Sequence, residues 1–88
     1  NMDDEVMKIE NIVKSADQLY NKKLYKEAAN LYKSVIESKT AKNYYKSYDE
    51  VLEYYFFCYF NIWKDDKNEN YLNQTVQSLT EFVEKCKD

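Results

Sequence analysis

The chain has 88 residues, 44% hydrophobic and 33% charged, which suits one domain with a small core and excludes a disordered polypeptide. Its net charge is −3, and every one of its 13 basic residues is Lys. That argues against a general nucleic-acid binder, because Arg is the residue suited to bidentate phosphate and base contacts.

With no Gly and no Pro, tight hairpins are hard to build, and the abundance of Lys, Glu, Leu and Ala favours helix. The first predicted helix starts after Asp3 or Asp4 and carries Val6, Ile9, Val13, Ala16 and Tyr20 at helical spacing, with Ile12 and Leu19 widening the stripe. Asn21–Lys23 supplies its stop. A second helix is marked by Tyr25, Ala28, Leu31, Tyr32, Val35 and Ile36 and fades in residues 38–43.

The third predicted helix contains the run Tyr54–Phe60, far short of the roughly 20 apolar residues that a membrane span needs, so no membrane insertion is expected. Tyr48, Leu52, Tyr55, Tyr59 and Ile62 form one stripe, and Phe56, Phe60 and Trp63 an adjoining one. Tyr54 and Phe57 lie partly off both. A helix apolar around most of its circumference is normally sandwiched between others. Residues 65–70 read as a loop. The last helix shows Leu72, Val76, Leu79, Phe82 or Val83, and Cys86 on one face.

The expected fold is therefore all-α: one domain over 1–88, a small bundle of four antiparallel helices in two hairpins, about 4–37 and about 44–87. The third helix is expected at the centre, against the first, second and fourth.

Residues 16–37, ADQLYNKKLYKEAANLYKSVIE, resemble a tetratricopeptide repeat. The matching positions are Ala16 and Leu19 on the first helix and Tyr25, Ala28 and Tyr32 on the second. A second repeat is fainter, with Cys58 where Ala16 stood and Thr75, Leu79 and Phe82 echoing Ala28, Tyr32 and Val35. The chain departs from the pattern at Val35, at Ala16 and Lys23 where glycines are common, and in lacking the proline that often follows. The same 22 residues also resemble the microtubule-interacting and trafficking domain, whose usual Leu-x-Arg-Ala-Glu ending is missing.

The tetratricopeptide resemblance implies a concave groove lined by the first helix of each hairpin. Its lining would be Val13, Asp17, Tyr20 and Asn21, then Tyr55, Tyr59, Ile62 and Trp63. It implies a non-enzymatic interaction or scaffold module that binds a peptide or amphipathic helix of a partner protein. The second resemblance implies recruitment of membrane-trafficking or cytoskeletal factors. A third reading is oligomerisation, because two hairpins without a polar capping helix leave apolar surface open.

Catalysis is not expected. There is no His, the commonest general base and metal ligand. There is no Gly for a phosphate loop, and the carboxylate pairs Asp49/Glu53 and Asp65/Asp66 fall at helix starts or in loops. No cofactor or metal is expected. Cys58 and Cys86 make no disulfide framework, and the acidic start NMDDEV is unlike a secretory leader, so a reducing, cytoplasmic location is expected.

Overall fold

The structure is a computed structural model and describes residues 1–87. Helix α1 spans Met2–Asn21. Its cap is Asn1 rather than Asp3 or Asp4: the Asn1 side chain accepts from the Asp4 amide, and Asp4 reaches back to the Asn1 backbone. Asp3, Asp4 and Glu5 then sit where the helix dipole favours anions. The helix closes with Leu24 N–H donating to Leu19 O and Lys23 N–H to Tyr20 O, both at 2.9 Å. This reversal needs left-handed backbone, which Lys23 adopts at φ 64°.

Helix α2 is Tyr25–Ile36. A short helix then occupies residues expected to fade into a loop: α3, Lys39–Tyr44, capped by Ser38, whose hydroxyl accepts from the Ala41 amide at 3.1 Å. Among the described residues the four expected helices are thus five. Helix α4 covers Tyr48–Asp66, and α5 covers Glu69–Cys86 with Asn68 as its cap. The expected loop of residues 65–70 shrinks to Lys67 and Asn68, with Lys67 left-handed at φ 60°.

The long helices lie in a row, α1 against α2, α2 against α4, α4 against α5, with α3 seated on α1 and α2. The result is a slab of 43 × 30 × 15 Å. Ala16 and Ala28 are wholly buried and let α1 and α2 approach closely; Tyr32, Val35, Val51 and Cys58 fill the spaces beside them. The run Tyr54–Phe60 lies on α4 between α2 and α5, which accounts for its breadth. Helix α1 is not a full neighbour of α4. It reaches α4 through side chains, with Tyr20 edge-on to Tyr54 at 5.2 Å and Asn61 donating to the Tyr20 hydroxyl at 3.4 Å.

An apolar stripe normally marks the face a helix buries. Helix α5 does otherwise. Thr75 and Ser78 are its buried residues, and each hydroxyl donates to the carbonyl four residues earlier, Tyr71 and Gln74. These small, self-satisfied side chains let α5 lie close along α4, where leucines would hold it off. Leu72, Val76, Leu79 and Val83 remain exposed, Val76 at 56%.

Candidate interaction surfaces

The first-hairpin residues implied by the resemblance come together. Val13, Asp17, Tyr20 and Asn21 line two adjoining hollows of about 30 and 130 Å³ that share Asp17, Tyr32 and Tyr54. The Tyr32 hydroxyl donates to the Asp17 carboxylate. Tyr20 sits edge-on to Tyr25 at 5.2 Å, and Tyr54 stacks on Tyr32 at 6.1 Å. Burial raises the Tyr32 and Tyr20 phenols above their ordinary 10.0, and for Tyr32 the neighbouring Asp17 adds to the effect. The rings here are occupied with one another, and the hollows are well below the several hundred Å³ of a small-molecule site.

The second-hairpin residues lie elsewhere. Tyr55 and Ile62 are each 7% exposed and belong to the interior. Tyr59 is half-buried beside Tyr55, edge-on at 5.1 Å. Trp63 lies next to Phe60, with the Lys67 ammonium 4.2 Å from its ring centre. The α4 residues that meet the first hairpin are instead Tyr54 and Asn61, with Phe57 edge-on to Tyr54; Asn61 is held by its bond to Phe57 O at 2.8 Å. For Tyr54 and Phe57 the signal was their position off both stripes; nothing in the stripes pointed to Asn61. Tyr54 and Asn61 each stand one residue before an implied position, Tyr55 and Ile62, and one residue turns a helix by about 100°.

A second surface emerges on the α4–α5 pair. On α5 the inner line is Tyr71, Thr75, Ser78 and Phe82, all buried or half-buried, and the exposed Leu72, Val76, Leu79 and Val83 each follow an inner residue by one position. On α4, Phe56, Phe60 and Trp63 likewise follow Tyr55, Tyr59 and Ile62. Because the helices are antiparallel and face each other, the same one-residue offset turns both lines to the same side of the pair. Phe56 stacks on Phe60 at 6.0 Å, and Phe60 is 38% exposed. One apolar face therefore runs the length of the hairpin, on the side turned away from α2. On the opposite side, clefts of about 450 and 290 Å³ separate α5 from α2 and α3; the larger is lined by Ile36, Tyr48 and Leu52 together with Glu81, Glu84 and Lys85, and the smaller mainly by polar residues such as Gln74, Gln77 and Glu81.

Among the described residues no group of three or more His, Cys, Asp or Glu is placed to hold a metal, and no helix is long and apolar enough to cross a membrane. Burial pushes the Cys58 thiol from 9.0 up to about 12, leaving it a small apolar filler, whereas Cys86 is exposed. No family model matches the chain, and no curated protein or solved structure matches it either.

Proposed function

We propose that this chain is a non-enzymatic protein-interaction module that receives an amphipathic helix of a partner protein on the apolar face of α4 and α5. The observation that carries this reading is the exposed ladder Leu72, Val76, Leu79, Val83 beside Phe60. Five large apolar side chains aligned on one side of a folded hairpin form a contiguous patch of the kind that marks protein contacts. The face offers steps at i, i+4, i+7 and i+11, the spacing into which a second helix seats its own apolar stripe. The surface thus favoured is not the aromatic groove by α1: of the eight residues implied for that groove, Trp63 alone lies on this face.

A tetratricopeptide-type arrangement is supported by the zero exposure of Ala16 and Ala28 at the α1–α2 crossing and of Cys58 at the corresponding place on α4. In such arrays each hairpin presents an outer side on which the next packing element sits. The apolar face of α4 and α5 is such an outer side.

The test is capture of partners from the native cell with the wild-type chain and with Val76→Lys. Val76 is more than half exposed, so the substitution preserves the helical spectrum. Loss of a partner on Val76→Lys, retained by Asn30→Lys on the outside of α2, supports the face. Equal capture by both variants removes it.

A further inference from the structure

We infer that the occupant of this face is a second copy of the same chain, related by a twofold axis perpendicular to the helices, so that α5 packs antiparallel on α5 and α4 on α4. The inference rests on the reading of the face as a docking surface and names what docks there.

Three features point to self-association. Leu72, Val76, Leu79 and Val83 are spaced 4, 3 and 4 residues apart, the alternation of a two-helix seam. Antiparallel alignment about the middle of that seam sets Leu72 against Val83 of the second copy and Val76 against its Leu79. Every layer then pairs a larger with a smaller side chain, and the ladder complements itself. Second, the positions flanking the seam on α5 are Asn73, Thr75, Thr80 and Phe82. None is charged, so two copies of a chain of net charge −3 can approach without like charges meeting at the contact. Two of the three acids of α5, Glu81 and Glu84, line the opposite cleft, and the third, Glu69, lies one turn before Leu72, where the antiparallel pairing sets it against the Cys86 end of the second copy rather than against another acid.

Third, the α4 edge of the face has unlike charges at its two ends. Glu53, Phe60 and Lys64 follow one another at i, i+7 and i+11, so they share one line along α4. Antiparallel pairing brings the Glu53 end of one copy toward the Lys64 end of the other, twice per dimer. A twofold axis parallel to the helices gives no such match.

Sedimentation equilibrium over a range from about 10 µM to about 1 mM tests this, the range set by the weak affinity of small, reversible contacts. A reversible dimer is expected. Val76→Lys is expected to leave a monomer with unchanged circular dichroism, whereas Asn30→Lys dimerises like the wild type. Glu53→Lys and Lys64→Glu should each weaken the dimer about threefold or more, and the double variant should restore it. A chain monomeric throughout, a dimer indifferent to Val76→Lys, or single charge reversals without effect would each overturn the inference. If the chain is monomeric yet Val76→Lys still loses a cellular partner, the second copy falls and the docking face stands. If that partner is also retained, both fall.

Discussion

The Tyr32 hydroxyl on α2 donates to the Asp17 carboxylate on α1, tying the first hairpin together across a crossing otherwise made by small residues. Tyr32 is wholly buried, whereas Asp17 is exposed, so the two ends of this bond have unequal consequences. Tyr32→Phe removes the donor along with its need for a partner and should cost about 1 kcal/mol. Asp17→Ala strands a buried hydroxyl and should cost more, on the order of 1–3 kcal/mol. Urea unfolding midpoints of the two variants give the order directly.

Alkaline pH should unfold the protein. Tyr20, Tyr32, Tyr45, Tyr48 and Tyr55 all have phenols raised above 10.0, with burial the leading cause in each, and Cys58 is raised above 9.0. These groups hold their protons more tightly in the folded chain than in the unfolded one. Their contribution to stability is complete below the unfolded values and declines once pH passes about 9, then more steeply above 10 as the tyrosines engage. Thermal melts between pH 7 and 11.5 should show falling midpoints over that window, with tyrosinate absorbance rising together with loss of helix.

The α1–α2 crossing tolerates no extra volume. Ala28→Leu introduces three carbons where Ala28 is wholly buried, and overpacking of this kind costs about 1–3 kcal/mol or more. Ala29→Ser should be milder, since its hydroxyl can return to the backbone. A thermal midpoint for Ala28→Leu equal to that of the wild type would contradict the close approach.

Lys23 takes the left-handed position of the α1 ending at φ 64°. A side chain there costs about 1 kcal/mol or more relative to glycine. Lys23→Gly should therefore stabilise the protein by about 1 kcal/mol, offset in part by the greater freedom of glycine in the unfolded chain. The readout is a higher urea midpoint.

The two cysteines should separate cleanly in reactivity. Cys86 is exposed, and Cys58 is buried with its thiol near 12. At pH 7.5 a thiol reagent should modify one cysteine per chain quickly, identified as Cys86 by mass mapping. Cys58 should react only after denaturant is added.

The first hairpin was legible because its residues repeat at helical spacing and its small positions, Ala16 and Ala28, stand opposite each other; both are at zero exposure. Helix α3 escaped because six residues with one buried side chain, Ala41, carry no periodicity. The aspect of α5 was hidden for a different reason. Periodicity shows that Leu72, Val76, Leu79 and Val83 share a face, but not whether this chain covers it. Close contact with α4 selected the small hydroxyl residues one position away. The same one-residue step separates Tyr55 and Ile62, expected beside the first hairpin, from Tyr54 and Asn61, which meet it.

The row arrangement grades the molecule from one end to the other. Helix α2 is gripped on several sides, while α5 lies closely along α4 and elsewhere overlooks open clefts. Amide protons should therefore survive longest around Tyr32 and Val35 and vanish earliest from α5, as this outlying rod peels away before the remainder melts.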